Sequence, residues 1–145
     1  MNAKDYLKQV LLLEEKINQK QMQYKELLRT ATLTEAVRYD KEKVQTSLTD
    51  DGMSNIVIRY IELQEEINHD IDNFIDIKNK VITEIQALSN VKFVNLLFMR
   101  YIQGKKLDEI AASLNYSYQY ARELHSRALK AFTKVHPELF YKVPT

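Results

Sequence analysis

Two long stretches of the chain carry apolar residues at alternating steps of three and four, the spacing that lines one face of a helix. In residues 2–29 the stripe is Tyr6, Val10, Leu13, Ile17, Tyr24 and Leu27 or Leu28, with Lys20 or Gln21 at its weak layer. In residues 53–88 it is Met53, Val57, Tyr60, Leu63, Ile67, Ile71, Phe74, Ile77, Val81, Ile85 and Leu88. An amphipathic helix is stabilised mainly by packing that face on something, so each helix is expected to cover the other in an antiparallel hairpin. The second helix, about 54 Å long at roughly 1.5 Å per residue, is the longer. Its positions Phe74, Ile77, Val81 and Ile85 therefore still want a partner. Between the two, residues 30–52 are rich in Thr, Ser and Asp around a charged stretch. A linker this long is uncommon in a compact domain; it is expected to be partly ordered, with a short helix after Thr34.

The pattern changes after residue 88. Ser89 and Asn90 break the helix and can cap the next one, a mostly apolar segment over 91–103 that stops at Gly104, the residue type favoured just past a helix end. Residues 107–126 then spell out a helix-turn-helix. Ile110 and Leu114 share one face of a short first helix, and Ala111 is small enough for a second helix to cross over it. Asn115 stands where the chain must turn and tolerates a left-handed backbone. Ser117 can cap the second helix, which should run from Tyr118 to about Val135 with Ala121, Leu124, Ala128, Phe132 and Val135 on its core face, stopped before Pro137. The expected fold is all-α: a long antiparallel helical hairpin over 1–88, a helix-turn-helix domain over 89–135, and a short apolar tail over 136–145 that folds back.

Composition narrows the chemistry. With 145 residues, 45% of them hydrophobic, and a mean hydropathy of −0.41, the chain has enough apolar material for a core and the balance of a soluble protein. No apolar run approaches the roughly 18 residues of a membrane span. The N-terminus enters an amphipathic pattern at once, so no signal peptide is expected and a cytoplasmic location fits. Zero cysteines excludes disulfides, thiolate catalysis and cysteine zinc sites, and two glycines leave little for a phosphate loop. The net charge of +1 hides a split. Residues 53–90 hold three bases against seven acids, a balance of −4, whereas 91–135 hold eight bases against three acids, a balance of +5. That asymmetry points to a polyanion partner for the C-terminal part.

The polar stripe of the second helix carries Gln119, Arg122, Glu123, Ser126 and Lys130, with Arg127 at its border. The first turns of this helix enter the major groove in a helix-turn-helix. There Gln119 can pair two-fold with adenine and Arg122 with guanine. Tyr118 can meet a thymine methyl or a phosphate, and Ser117 caps the same end. Arg127 and Lys130, further along, suit phosphates, as do Lys105 and Lys106 at the entry to the first helix. Tyr116 falls at an apolar turn position, and His125 borders the core face; both are expected to pack inside. No catalytic or metal constellation competes. His69, His125 and His136 lack ligand spacing, Glu66 and His69 make one Glu-x-x-His pair where a di-metal bundle needs two, and the acids of 53–90 read as a solvated face. No cofactor is expected.

The run Leu97-Phe-Met-Arg-Tyr101-Ile-Gln-Gly104, with Leu107-Asp-Glu-Ile-Ala111 and Leu124-His-Ser-Arg-Ala-Leu129, resembles the region-four DNA-binding domain of sigma factors. Nearly the whole chain resembles small phage and prophage proteins related to the ArpU and RinA late-transcription regulators. The shared features are a starting helix like Asn2-Ala-Lys-Asp-Tyr-Leu7, a linker ending like Lys43-Val-Gln-Thr-Ser47, and the acidic Glu66–Asp72 segment. Lys106 departs from the Ser or Thr of many relatives, which implies a weaker start to the first helix. With the resemblance, the leading expectation is a non-enzymatic transcription regulator that binds double-stranded DNA; the helical hairpin is then expected to serve as a scaffold for a homodimer or for contact with RNA polymerase. Two other classes stay open at this point: a component of DNA packaging similar to small terminase subunits, and a sigma-like module that binds polymerase without touching DNA.

Overall fold

The computed structural model describes residues 1–41 and 50–141, with side-chain detail for 1–33 and 55–141. Among the described residues every regular element is helical: α1 (Ala3–Lys41), α2 (Asp50–Gln86), α3 (Val91–Leu97), a π-helical turn (Phe98–Ile102), α4 (Leu107–Leu114), α5 (Tyr118–Val135) and a 3₁₀ turn (Pro137–Leu139). The fold is all-α, and no helix among the described residues is long and apolar enough to cross a membrane.

The hairpin helices differ from expectation in their ends. α1 does not stop near residue 29; it runs through the segment expected to be linker as far as Lys41. Threonines there do not break it, because a Thr hydroxyl can bond back to the carbonyl one turn earlier, as Thr32 Oγ1 does to Leu28 O at 2.9 Å. Neither Gly nor Pro occurs between 30 and 41. α2 begins at Asp50 rather than 53 and ends at Gln86 rather than 88. The two helices, of 39 and 37 residues, are thus nearly equal, and the expected excess length of the second is absent. Residues 42–49 of the expected linker, the side chain of Met53 and the tail beyond Tyr141 lie outside the described residues.

The chain forms two compact units. One joins Met1–Glu14 to Phe74–Thr145; the other is Glu15–Asn73. In the first, the core does not stop at residue 88. Ala3, Leu7 and Val10 of α1 and Val81, Ile85 and Leu88 lie in one buried cluster with Leu96, Leu97, Tyr101, Ile102, Ile110, Leu124, Ala128 and Phe132. Phe74 and Ile77 pack against this cluster, so the four apolar positions that wanted a partner find it in α1 and the C-terminal helices. Polar links follow the same path. Tyr6 donates to a Glu84 carboxylate oxygen at 2.5 Å, and His136 Nε2–H donates to the Glu84 carbonyl at 2.7 Å. The expected fold-back of the tail is present as far as it is described. Phe140 meets Tyr6 edge-on at 5.7 Å and Phe132 at 6.0 Å between ring centroids.

In the second unit, Ile17, Leu63 and Ile67 are buried. Lys20 pairs with Asp70 at 2.5 Å, and Tyr24 stacks on Tyr60 at 4.4 Å with their hydroxyls hydrogen-bonded. Because the α1 partners rise in number as the α2 partners fall, the pairing is antiparallel. Val57, expected in the buried stripe, is 47% exposed, as is Leu28.

Candidate nucleic-acid interface

The interface begins with the turn that aims α5. α4 ends at Asn115, which takes the left-handed conformation (φ 59°, ψ 38°). The Tyr116 N–H returns to the Ala111 carbonyl at 2.8 Å and the Asn115 N–H to Ala112 at 3.4 Å. This is the Schellman pattern with Asn in the place usually held by Gly. Ser117 follows with extended backbone, and its hydroxyl accepts from the Tyr120 N–H at 3.1 Å, relieving one of the unpaired amides at the start of α5. Three residues thus end one helix, reverse the chain and start the next.

The start of α4 replaces a missing cap. Lys106 stands at the N-cap and its ammonium has no acceptor to offer. Instead the Glu109 carboxylate reaches back to the Lys106 N–H at 3.4 Å, and the Asp108 carboxylate accepts from the Glu109 N–H at 2.9 Å. Two acids in the first turn also suit the positive end of the helix dipole. Upstream, α3 loosens into the π turn, in which the Gln103 N–H bonds the Phe98 carbonyl five residues back. Gly104 (φ +71°) then turns the chain into α4, a backbone setting that costs a side-chain-bearing residue.

α5 packs on α3 and α4 through Ala121, Leu124, Ala128 and Phe132, all buried. Val135, expected on the same face, is 45% exposed: it is the last residue of the helix, and His136 and Pro137 turn the chain away there. The remaining face holds the predicted residues. Ser117, Tyr118, Gln119, Arg122, Glu123, Ser126, Arg127 and Lys130 are all exposed, as is Lys106, while Lys105 is half-buried. The Arg122 guanidinium lies 5.9 Å from the centre of the Tyr118 ring, a cation–π distance that steadies the arginine one turn into the helix. Tyr116, half-buried, meets Tyr120 edge-on at 4.8 Å.

Arg100 is a residue that sequence reasoning did not place here. Its Nη1 donates to the Lys105 carbonyl at 3.0 Å, and with Lys106, Leu107, Asp108 and Tyr118 it lines an open depression of about 430 Å³. The depression joins the start of α4 to the start of α5 and adds a third base beside Lys105 and Lys106. The available signal was a base ahead of Gly104, within reach of the first helix.

His125 is half-buried and turns toward the core. Its Nε2 shares a hydrogen bond of 2.6 Å with the Tyr101 hydroxyl, and the rings stack at 5.7 Å. Burial, with Arg100 and Lys4 adding to it, pushes the imidazole down to about 4, and burial pushes Tyr101 up to about 12. The pair is neutral at physiological pH. No group of three or more His, Asp or Glu side chains gathers among the described residues in a way that could hold a metal ion.

The geometry is a short helix, a tight turn and a second helix whose exposed face carries a guanidinium, an amide and hydroxyls beside a basic flank. No family model, curated protein or solved structure matches the chain.

Proposed function

We propose that the protein is a sequence-specific DNA-binding transcription regulator of the phage type, with α5 entering the major groove. One observation carries this reading. The chain-reversing turn at Asn115–Ser117 leads into a helix whose exposed stripe holds Gln119, Arg122, Ser126 and Lys130, with no buried function for any of them. Arg122 and Gln119 lie in the first two turns, where a groove-bound helix meets base edges. Lys105, Lys106, Arg127 and Lys130 flank them at positions suited to phosphates. On this reading Arg100 joins the phosphate side, and Glu123 guards against bases that present only acceptors.

A single module of this kind buries on the order of 600–1,000 Å² on DNA, too little for high specificity alone. The hairpin is therefore read as the element that supplies a second DNA-binding unit by homodimerisation, with RNA polymerase as the other candidate partner. Enrichment of duplexes from a random-sequence pool by the full chain tests the reading. One recurring motif is expected; retention without sequence preference would move the protein to a packaging or architectural role, and no retention would leave polymerase contact.

A further inference from the structure

Among the described side chains of the unit Glu15–Asn73, many large apolar ones are uncovered. Ile17, Leu63 and Ile67 are buried, whereas Met22, Leu28, Leu33, Val57, Ile58 and Ile61 are between 47% and 70% exposed. Long amphipathic helices rely on packing for their stability, and among the described residues of this unit three buried side chains are a small anchor. Val57, Ile61, Gln64 and Asn68 of α2 are exposed and Ile71 is half-buried, and they follow one another at steps of four, three, four and three, a second coiled-coil seam turned about 100° around the helix from Leu63 and Ile67; Ile58, also exposed, lies off it.

The seam is free of charge in a crowded charged stretch. Residues 55–73 carry Arg59 and the acids Glu62, Glu65, Glu66, Asp70 and Asp72, and none of them falls on it. In heptad terms Val57, Gln64 and Ile71 take the d positions and Ile61 and Asn68 the a positions. An Asn at one a position of an otherwise apolar seam fixes register by bonding to its own counterpart. Here Gln64 extends that polar layer by one step.

We infer that this seam is a homodimer interface in which α2 packs parallel to α2 of a second copy, Asn68 facing Asn68. The inference rests on the reading of the hairpin as a self-association element and names the surface. A two-fold parallel pairing sets each polar residue of the seam against itself, so neither is buried opposite an apolar side chain. Charge favours the same arrangement. The flank of the seam away from α1 is acidic, with Glu65 and Asp72, while α1 over 15–33 holds four bases against two acids; Lys20 pairs with Asp70 and Arg29 with Glu26 of the same chain, which leaves Lys16 and Lys25 against Glu15. Parallel packing turns each acidic flank toward the partner's basic α1; antiparallel packing would set acid against acid.

The test uses the full chain, which has no cysteine of its own. Sedimentation at micromolar concentration should show a dimer. Ile61→Glu should weaken it by roughly 100-fold or more, since two carboxylates would be buried together, with helix content unchanged. Under mild oxidation Asn68→Cys should form a covalent dimer, whereas Glu62→Cys, off the seam, should not. A wild-type dimer that survives Ile61→Glu, or fails to cross-link through position 68, overturns this interface and leaves self-association standing. A wild-type monomer with and without DNA overturns both.

Discussion

At the scale of single residues, His125 shows how a side chain on the candidate DNA-binding helix can serve the interior instead. Its folded pKa is lowered to about 4 from 6.5, so between those values the unfolded chain binds the proton more readily. Stability from the neutral imidazole is therefore full above about pH 6.5 and is lost as pH falls toward 4. The loss is on the order of 1–2 kcal/mol once solvent access to the half-buried ring is allowed for. His125→Gln keeps a hydrogen-bonding group near Tyr101 and removes the titration. Melting temperatures between pH 7 and pH 4 should fall less steeply for this variant than for wild type; parallel slopes would show that His125 does not report the folded core. The placement of His125 beside the core was legible from its helical position, as were Ser117 and Asn115. Leu7 and Arg100 were not. Leu7 is fully buried one position off the expected stripe, and Arg100 acts through a carbonyl five residues away; periodicity reports neither kind of contact.

At the scale of elements, the turn between α4 and α5 is the most exacting piece of the chain. Asn115 occupies a left-handed conformation with two backbone hydrogen bonds closing around it. Asn115→Gly should be neutral or slightly stabilising, whereas Asn115→Ala should cost about 1 kcal/mol, because a Cβ without a compensating amide meets the left-handed penalty. Chemical denaturation of the two variants checks this, and equal midpoints would remove the backbone strain from the account. Helix starts in this region were legible because caps are local chemistry. The far end of α1 was not, since the expectation of a linker weighed Thr as a loop former. In this segment nothing opposes the helix, and Thr bonds back to the preceding turn.

At the scale of the molecule, the C-terminal helices share one core with the first turns of α1 and the last turns of α2. The periodic stripes disclosed two amphipathic helices but not what would cover their base, because that depends on contacts between residues some 80 to 130 positions apart, such as Tyr6 with Glu84 and with Phe132. Leu7→Ala should therefore destabilise the whole unit, by about 2–5 kcal/mol, and not merely fray α1. Thermal melts followed through tyrosine circular dichroism should show one transition shifted down, with binding of DNA lost along it. Melting of residues 3–14 alone, with amide signals of 89–141 unchanged, would mean that the helix-turn-helix stands by itself.

Whether the exposed face of α5 reads DNA is decided by titrating the full chain, Arg122→Ala and Lys130→Ala onto a duplex selected by the wild type and onto an unrelated duplex, across a range of salt. Arg122→Ala should lose about 1–3 kcal/mol on the selected duplex and keep its weak binding to the other. Lys130→Ala should weaken both alike and lower the salt slope by about one. If Arg122→Ala binds both duplexes as the wild type does, the groove assignment of α5 is contradicted.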